Sequence, residues 1–138
     1  MTNKRATKPK ATDWQNRELT QWNVSTFTAY LEHLTQEKFG VTYEPTGRGA
    51  KHERWAREKG MAKNAQEKYG NAVLKRFIEI CIEEYRAKPE YPYASFTFMY
   101  SYMSGNFAKA QAEIAREQKR KEAAEKQPEA SDIDSGWF

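Results

Sequence analysis

Apolar residues recur at helical spacing along much of the chain, and Gly and Pro punctuate the intervals between those stretches. Phe27, Tyr30, Leu31 and Leu34 return every third or fourth position, which places them on one face of a helix. Asn23 stands where an N-cap belongs, because its side-chain oxygen can accept from the free amides of a first turn. Trp22 before that cap and Phe27 after it have the hydrophobic-staple spacing. With Gly40 as a C-terminal stop, the pattern predicts a helix over residues 24–39.

Val41 and Tyr43 then alternate with polar residues, and Pro45, Gly47 and Gly49 follow, which reads as a short extended piece and a turn. A second, mostly basic helix over residues 50–59 has Trp55 on its apolar side and stops at Gly60. Residues 61–70 fit either a helical turn or a loop closed by Gly70. Val73, Leu74, Phe77, Ile78, Cys81, Ile82 and Tyr85 form the broadest apolar stripe. It predicts a central core helix over 72–86, capped by Asn71 and ended by Pro89 and Pro92. Residues 87–94 read as an extended connector whose tyrosines pack. Ser95 caps a fourth helix carrying Phe96, Met99, Tyr100, Met103 and Phe107. That helix runs on through 108–126, where Glu117–Lys121 and Glu122–Lys126 are favourable pairs four apart.

The fold class is therefore mostly α: a compact bundle of about four helices with one short extended or turn element, as a winged-helix-like variant would have. Residues 1–13 read as a disordered basic tail, 14–107 as the helical domain, 108–127 as a charged Ala-rich helix and 128–138 as an acidic-aromatic docking tail. A mean hydropathy of −1.01 is low. Aromatic residues at 14% nevertheless set the chain apart from disordered sequences and point to a small aromatic core. No apolar run approaches the length of a membrane span, and no apolar segment follows the basic N-terminal stretch as in a secretory signal. The expectation is no membrane contact and a place in the cytoplasm of a bacterial host cell. The single cysteine, Cys81, has no internal disulfide partner and reads as a core residue.

Charge is unevenly laid out. Lys4, Arg5, Lys8 and Lys10 stand near the N-terminus without an acid. Residues 48–76 hold nine bases against three acids, and Glu129, Asp132 and Asp134 make the last stretch acidic. A basic front and middle with an acidic tip suits a protein that touches a polyanion and also a protein. Catalysis has little to build on. His33 and His52 are far apart, Cys81 is flanked by apolar residues, and Gly47-Arg48-Gly49 is too short for a phosphate loop. No enzyme activity, cofactor, metal or small-molecule substrate is expected.

Arg48, Lys51, Arg54, Arg57, Lys59 and Lys63 are the predicted nucleic-acid-binding residues. A flexible glycine turn leading into a basic helix lets backbone and helix N-terminal amides approach phosphates. The competing reading is an ordinary solvated basic helix with Trp55 packed inward. Tyr91, Tyr93, Phe96 and Tyr100 are better suited to packing than to stacking on bases. At the tip, Trp137 and Phe138 are predicted docking anchors, with Asp132 and Asp134 steering the encounter. Folding back onto the protein's own surface is the alternative.

The series Trp22, Phe27 and Tyr30, then Gly47-Arg48-Gly49, Lys75-Arg76-Phe77-Ile78-Glu79, Tyr91-Pro92 and Phe96-Thr97-Phe98-Met99 resembles small helical proteins of bacteriophage replication and early regions, over residues 20–107. The tip is similar in kind to the acidic, Phe-ended tails of single-stranded-DNA-binding proteins and to the aromatic peptides that enter sliding clamps. These resemblances imply a non-enzymatic accessory factor of DNA replication or transcription. It would bind nucleic acid, DNA in the first instance, through its middle and a replisome or transcription protein through its tip. The alternative is a small phage-type regulator that binds a host protein without nucleic acid.

Overall fold

The computed structural model describes residues 9–137, with side chains as far as residue 125. Helix α1 spans Val24–Phe39 and is entered through a 3-10 turn, Leu19–Gln21. The Thr26 N–H donates to Asn23 Oδ1 at 3.1 Å, and the Asn23 N–H donates to the Thr26 hydroxyl at 3.2 Å. Two amides that the first turn would leave open are thus satisfied locally. Trp22 meets Phe27 edge-on, with ring centres 5.0 Å apart, and both are buried.

Helix α2 runs over Lys51–Tyr69, straight through the predicted stop at Gly60. A mid-helix glycine costs about 1 kcal/mol relative to alanine. Ala62 and Ala65, buried on the continuing helix, and Met61 and Tyr69, packed at its edge, outweigh that cost. Gly70, with φ at +87°, ends α2, and α3 spans Asn71–Glu84 directly after it. Asn71 is not the cap predicted for it. Its side-chain amide donates to the Leu19 and Trp22 carbonyls at 2.7 and 3.1 Å and accepts from Gln66 at 3.0 Å. It therefore pins the entry to α1 against the α2–α3 corner. Helix α3 stops two residues short of the predicted end, because Tyr85 turns extended and its ring packs against Phe39 and Phe98.

The helix predicted from Ser95 onward is two helices, α4 over Phe96–Tyr102 and α5 over Asn106–Trp137. Ser95 does cap the first, accepting from the Phe98 N–H at 3.2 Å. The break at 103–105 reorients the chain. Asn106 then reaches the end of α3, donating to Glu84 at 3.2 Å and to Cys81 Sγ at 3.4 Å. Phe107 slides between two rings, stacked on Phe77 at 3.6 Å and on Tyr69 at 4.0 Å. The described residues thus form five helices and no strand, and the stretch before α2 is extended but unpaired.

Helix α3 packs against each of the other four. Leu74, Phe77 and Cys81 on it, with Met99 and Ala110 opposite, have no exposed surface. Burial pushes the Cys81 thiol up to about 12, as suits an inert core residue. Its outer side carries an ion-pair network. Arg76 meets Glu113 at 2.6 Å and Glu79 at 3.3 Å, while Lys75 and the Tyr30 hydroxyl both bind Glu79, at 2.7 and 2.6 Å. Burial alone would raise the Glu79 carboxyl, but Lys75, Tyr30 and Arg76 hold it below its usual range. Lys75 and Arg76 are therefore committed to the protein's own acids.

Phe77 is the ring against which both Phe107 and Phe96 rest. Phe77→Ala is expected to destabilise the fold by about 3–5 kcal/mol, the range for a fully buried phenylalanine. Urea melts of the two proteins measure it, and a loss below about 1 kcal/mol would contradict this packing.

Candidate nucleic-acid interface

Ser25, Thr28, Ala29 and Glu32 lie one helical turn apart along α1, and His52, Trp55, Ala56 and Lys59 repeat the same spacing along α2. Ser25, Thr28, Ala29 and Ala56 are small, so the two rows face each other without closing. A groove of about 590 Å³ lies between them, with Thr12 at one side. A second hollow of about 470 Å³ shares Ser25 and Lys59 with the first and extends it past Gly60 to Lys63 and Gln66. Gly60 thus leaves α2 intact and widens the space beside it.

Trp55 forms part of the wall. It is half-buried, with an edge against Tyr43 at 6.2 Å and the Lys59 ammonium 5.9 Å from its ring centre. Lys59, Lys63 and His52 are exposed along the groove, and Lys63 approaches Glu67 only at 4.0 Å. On the α1 side, Glu32 has neither a hydrogen-bond nor an ion-pair partner among the described residues, and partial burial raises its carboxyl above the usual range.

Behind Trp55 lies a buried hydrogen-bond chain. The Tyr43 hydroxyl donates to Glu58 Oε1 at 2.5 Å and accepts from the Phe96 N–H at 2.8 Å. Glu58 is only 3% exposed. Burial pushes its carboxyl up to about 7; the bond from Tyr43 and the nearby Phe96 N–H pull the other way, and the nearby Glu32 adds a further rise. One of the three acids in the 48–76 stretch is therefore withdrawn from the surface. The outer face of α2 is more basic than its composition states.

The six predicted nucleic-acid contacts divide. Lys59 and Lys63 line the groove. Arg54 donates to the Pro45 carbonyl at 3.1 Å and the Gly49 carbonyl at 2.6 Å, and Arg57 donates to the Arg48 carbonyl at 3.0 Å. These two arginines fasten the turn that precedes α2. Lys51 lies 3.6 Å from Glu44, and the Arg48 side chain is exposed on the fastened turn. That turn is not the open phosphate cradle its glycines suggest. The Ala50 N–H at the start of α2 donates to Glu53 at 3.1 Å, and a Cβ at Gly49 would meet the same carboxylate.

Among the aromatics, Phe96 is buried and packs on Tyr100, while Tyr93 donates to the Glu44 carbonyl at 2.7 Å; Tyr91 is exposed. His33 packs on Trp14, with ring centres 4.7 Å apart. No group of residues arranged to hold a metal occurs among the described residues, and no described helix is long and apolar enough to cross a membrane. Asp132, Asp134, Trp137 and Phe138 lie outside the residues whose side chains are described. The α1 wall escaped the sequence reading, although Ser25, Thr28, Ala29 and Glu32 at helical spacing mark a small, polar face opposite the apolar stripe. No family model matches the chain, and neither does any curated protein or solved structure.

Glu58 gives the site a pH signature. Its carboxyl is raised in the folded state, from 4.5 to about 7, so the protonated form is favoured there. The stability it contributes is fully present below about pH 4.5 and is lost as pH rises through about 7. Between pH 5 and 8 the protein is expected to lose on the order of 2–3 kcal/mol relative to Glu58→Gln, which stays neutral throughout. Urea melts across that range measure the difference, and parallel curves for the two proteins would show that Glu58 is ionised in the fold at all of these pH values.

Proposed function

We propose that this chain is a non-enzymatic accessory factor of DNA replication or transcription that holds nucleic acid along α2. The single observation carrying the reading is that Lys59 and Lys63, one turn apart, flank a groove whose wall includes Trp55, while Glu58 on the same helix is turned inward. Cations on one face with an aromatic one turn before them attract phosphates and offer a surface for bases. The basic residues at 4–10 add attraction that is independent of nucleotide sequence. Asp132, Asp134, Trp137 and Phe138 have the composition of a docking peptide for a replisome or transcription protein. The setting that accords with this reading is the bacterial cytoplasm.

A protein-only regulator is the second reading, favoured by the exposed aromatics on α4 and the preceding connector. Tyr91 is 66% exposed and Tyr102 is 77% exposed. Tyr102 continues a chain of ring contacts through Phe98 and Tyr85 to Phe39. Such a surface suits an apolar patch on a partner protein.

The double charge reversal Lys59→Glu with Lys63→Glu separates the readings. It is expected to weaken DNA binding and lower the salt slope by about two, roughly one per lost phosphate contact. The melting curve is expected to stay in place, since both side chains are exposed. Arg54 and Arg57 are unsuitable for this purpose because their loss would release the turn. Gel-shift titrations at two salt concentrations give the slopes, and an absence of salt-dependent retention in the unmodified protein would leave the protein-only reading. A chain ending at Gln127 is expected to keep its melting temperature and DNA affinity while losing recovery of its protein partner. A fall of several degrees would assign the tip to the fold instead.

A further inference from the structure

The α1–α2 groove holds a chemical contrast that phosphate attraction does not use. Its rim is cationic, yet Glu32 lines its α1 wall, exposed and without a donor among the described residues. Both of its carboxylate oxygens are therefore open to donors that a ligand brings. A ligand that presents two adjacent N–H groups engages both oxygens at once, in the paired geometry in which carboxylates bind most strongly. The hydroxyls of Ser25 and Thr28 stand on the same wall, and Trp55 on the opposite one offers a ring surface. A volume of about 590 Å³ falls within the range of small-molecule sites.

Among nucleobases, only guanine carries adjacent donors, N1–H and N2–H, on its Watson–Crick edge. Adenine and cytosine present one donor beside a ring-nitrogen acceptor, which repels a carboxylate. Thymine and uracil flank their single N–H with two carbonyl oxygens. In a duplex this edge is occupied, so the base must be unpaired. We propose that the α1–α2 groove is a guanine pocket for single-stranded nucleic acid: the base lies against Trp55, its N1–H and N2–H donate to Glu32, and the adjoining phosphates meet Lys59 and Lys63. The proposal rests on the nucleic-acid reading above and adds to it the strand state and the base.

The test uses the full chain and labelled oligothymidylates carrying one central guanine, hypoxanthine or adenine, followed by fluorescence anisotropy at constant low salt. The guanine strand is expected to bind about tenfold tighter than the adenine strand, as one bidentate contact provides. Hypoxanthine keeps N1–H and lacks the N2 amine, so its strand is expected to lose most of that advantage. This comparison changes only the ligand, so no unfolded variant can mimic its result. Glu32→Gln is expected to bring the affinity for the guanine strand to that for the adenine strand. Trp55→Ala, checked for folding by its melting curve, is expected to weaken every strand by roughly fivefold or more. Equal affinity for the three strands overturns the guanine pocket and leaves the nucleic-acid reading intact. A guanine preference that survives Glu32→Gln overturns the role of Glu32. Absence of salt-dependent binding to any strand overturns both readings and favours a protein ligand.

Discussion

The phenol of Tyr43 receives the Phe96 N–H and donates to Glu58, and through those two bonds it joins the extended segment after α1, the middle of α2 and the start of α4. All three groups are buried, so each would be left without water as well as without a partner if the phenol were lost. An unsatisfied buried polar group costs about 1–3 kcal/mol. The bond also sets the rotation of α2. With Glu58 held inward, the helix period sends Lys59 and Lys63 to the side facing α1 and leaves Arg54 and Arg57 toward the preceding turn. The groove and the fastened turn are thus two results of one buried acid.

Those parts of the fold governed by local rules were legible in the amino-acid pattern. Asn23 and Trp22 announce the start of α1, and the apolar stripe from Val73 to Ile82 announces α3 as the core helix. Contacts between distant residues were not legible. Gly60 carries the local mark of a stop, and the burial of Ala62 and Ala65, with Met61 and Tyr69 packed at the edge, overrides it. Asn71 has the chemistry of a cap, yet the carbonyls of Leu19 and Trp22 claim its side chain. The apolar spacing across Met103 and Phe107 is helical, although the stacking of Phe107 between Tyr69 and Phe77 requires the chain to break there.

The site was half legible for the same reason. A count of basic residues treats every cation as available, whereas the fold assigns them separate duties. Lys75 and Arg76 serve the acids of α3 and α5, Arg54 and Arg57 serve backbone carbonyls, and Lys59 and Lys63 remain toward the groove. The groove itself arises from what is missing: small side chains at Ser25, Ala29, Ala56 and Gly60 leave space that larger residues would fill. Absence of bulk gives no signal until both helices are placed side by side.

The turn before α2 is held through its main chain, at the carbonyls of Pro45, Arg48 and Gly49, by side chains that belong to the helix. Its conformation is therefore stored outside itself. The Arg48 side chain takes no part in those bonds, so the identity of that residue is decoupled from the shape that presents it. A lineage, or an engineer, is free to exchange Arg48 for another chemistry and display it from an unchanged platform, provided that Arg54, Arg57 and the two glycines stay in place.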